Sequence, residues 1–281
     1  MVRQRLVRMS SSMRTAVVGS TVVLAALLTA GVWLSVPRIA GSIGQNTATP
    51  PRELQVQVVG SYPHDPAAFT QGLVLEGGFL YESTGLEGRS SLRRVEVETG
   101  RVLDNVKLPD DIFAEGLAHV PGLLIQLTWT NEVAFVYDGQ TFALRRRIPY
   151  NGEGWGLCND GKLLVMSDGS DRLTFRRPDD FAIERSVTVT MNGSPVKNLN
   201  ELECVDGTVY ANIWHRETIV RVDAASGRVI ERIDASGLLS DRERNAADVL
   251  NGIAYDPSDR LFFVTGKLWP RLFKVRFVPL A

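Results

Sequence analysis

The chain has 281 residues, 44% of them apolar, which suits one or two domains with real cores. Lys and Arg number 31 against 32 Asp and Glu, a formal charge of −1 with no basic stripe, so nucleic acid is not an expected partner. Three scattered histidines, His64, His119 and His215, lack H-x-H or H-E-x-x-H spacing and argue against a histidine-held zinc.

Residues 1–14 are a basic segment carrying Arg3, Arg5, Arg8 and Arg14. Residues 15–36 follow as a run of 22 without charge. That is long enough to span a bilayer and longer than a usual signal-peptide core, and the arginines would hold the N-terminus in the cytoplasm. The expectation is a transmembrane signal anchor, with a cleaved signal peptide as the alternative. Both send the remainder outside the cytoplasm, membrane-anchored in the first case and secreted in the second. Residues 37–52 (PRIAGSIGQNTATPPR) are small, polar and Pro-containing and read as a linker. Past residue 38 the chain holds 26 basic and 32 acidic residues, a net charge of −6.

Residues 53–281 read as one all-β domain. ELQVQVVGSY (53–62) is a lone alternating strand. Five related stretches follow: FTQGL (69–73), FAEGL (113–117), EGWGL (153–157), LNELE (199–203) and LNGIA (250–254). The residue that varies among them, X, is Gln71, Glu115, Trp155, Asn200 and Asn251, at spacings of 44, 40, 45 and 51. A period of about 40 to 50 residues with strand-like alternation is the mark of propeller blades. A second mark lies 12 to 14 residues after each X: STG (83–85), LTW (127–129), MSDG (166–169), NIW (212–214) and VTGK (264–267). Each midpoint falls on turn chemistry: Gly77-Gly78, Pro121-Gly122, Gly161 beside Asp160, Asp206-Gly207 and Ser258. X therefore opens one strand and the second mark closes its antiparallel partner, at the same end of the blade. ETGR (98–101), YDGQ (137–140), RPDD (177–180) and ASGR (225–228) turn into outer strands. The last repeat ends at LFKVRF (272–277) without room for a fourth strand. The expected fold is a five-bladed β-propeller, its ring closed by the N-terminal strand acting as outer strand of the last blade. Within the insertion 235–249, SDRERNAAD is expected to form a short exposed helix.

The first strand of a propeller blade lines the central axis, so the X residues would ring one mouth of the channel. Trp129, Trp214 and Lys267 come from the second marks, and Phe69 and Phe113 lie two residues before their X. A repeat kept only for packing would repeat one residue; here Gly and Leu recur while X changes type, as in a scaffold carrying a site. Glu115 is then the lone carboxylate among the X positions of a pocket walled by aromatics and amides. Such a pocket suits a small cationic or amide-bearing ligand. Cys158 and Cys204, the only cysteines, share a C-x-D-G setting. A disulfide and two small buried residues are both open.

FTQGL, YESTG, FAEGL, QLTW, GWGL, LNELE, NIW and LNGIAYD…FVTGKLWP resemble the plant and bacterial type of glutaminyl-peptide cyclotransferase, over about residues 55–278. The resemblance implies a five-bladed propeller that cyclises N-terminal glutamine of peptides and proteins to pyroglutamate, releasing ammonia without a metal or other cofactor. It implies Glu115 as general acid/base, with Gln71, Asn200 and Lys267 polarising the γ-carboxamide. Phe69, Phe113, Trp129, Trp155, Trp214 and Asn251 would form the substrate pocket. A monomer is expected. Two other readings compete: a calcium-dependent lactonase-like propeller using Glu115, Asn200 and Asn251 as oxygen ligands, and a non-catalytic peptide-binding propeller.

Overall fold

The computed structural model describes residues 49–280. The span expected at 15–36 and most of the 37–52 linker lie outside the described residues. Among the described residues no helix is long and apolar enough to cross a membrane.

The described chain is all-β apart from one short helix. Strand β1 (Arg52–Pro63) comes first. A four-stranded antiparallel sheet follows: β2 (Thr70–Glu76), β3 (Phe79–Thr84), β4 (Ser91–Glu96) and β5 (Val102–Lys107). A second comprises β6 (Ala114–Val120), β7 (Leu123–Thr128), β8 (Val133–Asp138) and β9 (Leu144–Pro149). The third comprises β10 (Leu157–Asn159), β11 (Leu164–Ser167), β12 (Arg172–Arg176) and β13 (Ile183–Thr188). A small hairpin, β14 (Thr190–Met191) with β15 (Ser194–Pro195), leads to β16 (Leu199–Val205), β17 (Thr208–Ile213), β18 (Thr218–Asp223) and β19 (Val229–Asp234). After helix α1 (Asp241–Arg244) come β20 (Leu250–Asp256), β21 (Leu261–Gly266) and β22 (Arg271–Pro279). Strand β1 pairs antiparallel with β22. It also pairs in parallel with β19 at Arg52–Gln55, which joins the fourth and fifth sheets into one of eight strands. No residue pattern signals this second pairing.

Strand order and burial agree with composition. First strands such as β2, β6, β16 and β20 are apolar-rich and mostly buried, and all of these but β16 contain a glycine. Fourth strands such as β5, β9 (LRRRIP) and β13 are charged and mostly exposed. The apolar core is divided among neighbouring sheets. One cluster joins sheets one and two, through Leu92, Leu117 and Leu124 among others. Others join two to three, three to four and four to five. The last, with Leu73, Leu80, Ala254 and Phe263, joins five to one. The five first strands also touch in the cyclic order β2, β6, β10, β16, β20, β2.

Four of the five X positions sit on an irregularity of pairing; the fifth, Trp155, lies just before β10. Thr70 pairs with Thr84 and Gly72 with Ser83, so Gln71 is an extra residue. Between the pairs Ala114–Thr128 and Leu117–Gln126, two residues oppose one. The same count separates Leu199–Ile213 from Leu202–Ala211, and Leu250–Gly266 from Ile253–Val264. A bulge of this kind bends the strand and re-aims a side chain. It lets X leave the sheet's alternation, while the next residue packs against the adjacent first strand. That next residue is Gly72, Gly116, Gly156 or Gly252 in four repeats. A Cβ added at Gly116 would stand 2.5 Å from the Leu157 nitrogen, so no larger residue fits there.

Cys158 on β10 and Cys204 on β16 form a disulfide, with Cα atoms 5.5 Å apart. It crosslinks two neighbouring first strands. Helix α1 is exposed and capped by Ser240 and Glu243 in a capping box.

Candidate active site

One cavity of about 290 Å3 opens where the X ends of the sheets meet. Nine of the ten sequence-predicted residues line it: Phe69, Gln71, Phe113, Glu115, Trp129, Trp155, Asn200, Trp214 and Lys267. Asn251 does not. It is fully buried behind Gln71, where its Nδ2 donates to Thr70 O at 2.9 Å and to Gln71 Oε1 at 3.2 Å. Asn251 is thus set apart from the other nine, its side chain turned onto the neighbouring strand β2. His215 and Asp248 also line the cavity and were not singled out from the sequence.

Glu115 stands at the start of β6, 5% exposed. Gln71 Nε2 donates to its Oε1 at 3.1 Å. The bond from Asn251 fixes which end of the Gln71 amide faces the carboxyl. An Asn251–Gln71–Glu115 relay thus spans the first strands β20, β2 and β6. Burial pushes the Glu115 carboxyl well above the usual range; Lys267 pulls it down and Glu153 pushes it further up. Burial holds the Lys267 ammonium below its ordinary value, with Glu115 and Asp248 opposing that shift. Lys267 Nζ lies 4.9 Å from the Phe69 ring centroid, a cation–π contact that gives the ammonium a partner without a carboxylate.

Asn200 is buried, and its Oδ1 has no hydrogen-bond partner among the described residues. A buried unsatisfied acceptor costs about 1–3 kcal/mol, so its place in the cavity marks a seat for a donor. Its backbone carbonyl is held by Ser167 Oγ at 2.7 Å.

The aromatic wall is built by edge contacts. Phe69 meets Phe113 at 6.1 Å and Phe113 meets Trp129 at 5.7 Å, both edge-on. Trp155 meets Trp214 edge-on at 5.4 Å, and Trp214 lies against His215 at 3.9 Å. Gly85 makes room for Phe113 and Gly169 for Trp155, since an added Cβ would fall 2.5 and 2.6 Å from those rings. Trp269 is buried in the core rather than the cavity; its Nε1 donates to Asp248 O at 2.9 Å and steadies the loop bearing Asp248.

The cavity combines a raised carboxyl, an ammonium, an unpartnered amide oxygen and an aromatic wall. It can hold a small polar amide, move a proton at Glu115 and stabilise negative charge near Lys267.

Comparison with known proteins agrees. The family model described as "Glutamine cyclotransferase" matches residues 31–277. A glutaminyl-peptide cyclotransferase of Arabidopsis thaliana is 40% identical over 228 residues, 79% of this chain and 71% of that protein. The crystal structure of Myxococcus xanthus glutaminyl cyclase superposes with a TM-score of 0.75 at 43% identity, covering 82% of this chain and all of the other. By sequence along most of its length and by fold, the chain belongs to the glutamine cyclotransferase family.

Proposed function

We propose that the cavity carries out the family's reaction, closing an N-terminal glutamine to pyroglutamate with loss of ammonia. The observation that carries the proposal is the juxtaposition of Glu115 with Lys267 and the unpartnered Asn200 Oδ1 in one aromatic cavity. The α-amine of the substrate attacks its own side-chain carbonyl carbon, forming the ring C–N bond. Glu115 accepts the proton released by the attacking nitrogen and returns one to the carboxamide nitrogen, which leaves as ammonia. Lys267 faces the oxyanion of the tetrahedral intermediate. Asn200 Oδ1 accepts an N–H of the carboxamide. Gln71 spends one N–H on Glu115 and keeps the other for the substrate. The aromatic wall excludes water and holds the amine near the carbonyl. Nucleophile and electrophile belong to one molecule, so no covalent enzyme intermediate is required.

The five sheets with their first strands in cyclic contact form, in this reading, a five-bladed propeller closed by β1. The reaction is metal-independent: Glu115 and Lys267 supply proton transfer and charge. The protein works as a monomer outside the cytoplasm, anchored by residues 15–36 or released if they are cleaved. The Cys158–Cys204 disulfide supports that location, since such bonds persist in oxidising compartments.

The test is ammonia and pyroglutamate release from a glutamine-initiated dipeptide, with and without chelator, for the wild type and Glu115→Gln. Turnover that survives chelation and is lost in the variant is expected. A folded wild type that releases nothing would sink the proposal, and activity abolished by chelation would favour the calcium-dependent reading.

A further inference from the structure

The aromatic wall has one gap. From Phe69 through Phe113 to Trp129 each ring touches the next, and so do Trp155, Trp214 and His215. Among the described residues no ring contact joins Trp129 to Trp155. One carboxylate oxygen bridges them instead: Glu153 Oε2 accepts from Trp129 Nε1 at 2.7 Å and from Trp155 Nε1 at 2.9 Å.

Several features make this bridge a built one. The two tryptophans come from different sheets, Trp129 just after β7 and Trp155 just before β10, so no single strand sets their spacing. Trp129 is 40% exposed and lacks the packing that would fix its indole from outside. The chain is tied down on both sides of Glu153, as Gly152 N donates to Glu132 Oε1 at 2.8 Å and Gly154 N to Trp129 O at 3.0 Å. Gly154 has no room for a side chain: an added Cβ would fall 2.9 Å from Thr128 O. Two hydrogen bonds from rigid indoles to one oxygen fix orientation as well as distance. Glu153 does not line the cavity; it stands behind the two rings that do.

We infer that Glu153 is a positioning residue for substrate binding: its carboxylate clasps the Trp129 and Trp155 indoles and closes the aromatic wall around the N-terminal glutamine. The kinetic side of this inference rests on the proposed cyclotransferase reading; the clasp itself does not. A clasp of this kind acts on how well the pocket is formed before chemistry, so it belongs to KM rather than kcat. It needs an acceptor oxygen at that place, not a charge.

The test compares Glu153→Ala with Glu153→Gln. Loss of both bonds in Glu153→Ala is expected to raise KM for a glutamine-initiated dipeptide about tenfold, with kcat far less affected. Its tryptophan emission shifts to the red as the two indoles swing toward water. Glu153→Gln keeps an amide oxygen for both donors, so KM and emission stay near wild type. Unchanged KM and emission in Glu153→Ala overturn the inference, and so does a Glu153→Gln variant as impaired as the alanine one. If the wild type releases no ammonia, the functional reading fails, and the emission of the two variants still decides whether the clasp exists.

Discussion

Glu115 and Glu201 are both buried carboxyls on first strands, and burial pushes both well above the usual carboxylate range. Glu201 fills the place after X, where the other four repeats have glycine. Its Oε1 accepts from Leu73 N at 3.2 Å and its Oε2 from Ile253 N at 2.8 Å, so it ties β16 to β2 and β20 across the axis. Glu203 adds to its upward shift. Among the described residues no backbone N–H donates to Glu115. One side-chain amide holds it, and the rest of it faces a cavity. The same desolvation cost is thus met in two ways. A carboxyl whose oxygens are saturated by backbone N–H groups is a structural tie, whereas one left with spare capacity beside an ammonium is placed for proton transfer.

The largest test of this contrast is Glu115→Gln. Loss of a general acid/base is expected to lower the ammonia-release rate about 10³-fold. Stability should move the other way, with a defined pH dependence. A carboxyl with a raised folded-state pKa contributes its full stability below the unfolded value, about 4.5, and loses it as pH rises toward the folded value. The wild type should therefore lose stability relative to Glu115→Gln as pH rises from acid to mildly alkaline, a trend that urea unfolding at several pH values would show.

The scaffold side is sharpened by the disulfide, whose Cys204 lies on the same strand as Glu201. Its partners are 46 residues apart, and removing the crosslink with Cys158→Ser and Cys204→Ser together should cost about 3 kcal/mol. The midpoint of urea unfolding should fall while KM at fixed temperature stays put; a changed KM with an unchanged midpoint would tie the disulfide to the pocket instead.

A smaller effect is expected behind Gln71. Asn251→Ala removes the donor that orients the Gln71 amide toward Glu115, so kcat should fall about tenfold while KM changes little. Equal loss in KM would mean that Asn251 meets the substrate after all.

Much of this was legible in the sequence because the repeat exposes it. Five motifs of unlike X gave the first strands, and turn residues at the midpoints, such as Asp206 and Gly207 with φ of 47° and 72°, gave their partners. The lone strand at 53–62 pairs with β22. The bulges did not show, because a two-against-one pairing leaves no mark in a string of letters, and neither did the turn of Asn251 onto β2 while Gln71 and Glu115 faced the cavity. The parallel pairing of β1 with β19 was hidden for a similar reason: alternation in ELQVQVV is the same whether one or both edges are paired. Glu153 stood in a quoted motif, EGWGL, yet only the distance from its carboxylate to two indoles reveals what it holds. Glu201 read as one letter of LNELE; its meaning lies in the glycine that the other repeats place there.

The most direct measurement is the ammonia-release rate and the urea unfolding midpoint, taken together at pH 8 for Glu115→Gln and Glu201→Gln. The account predicts a crossing. Glu115→Gln loses its rate and unfolds at no lower urea than the wild type. Glu201→Gln, with one backbone N–H left unpaired, loses about 2 kcal/mol of stability yet turns over substrate at a comparable rate per folded molecule. A Glu115→Gln variant that keeps its rate, or a Glu201→Gln variant that loses its rate with an unchanged midpoint, would contradict it.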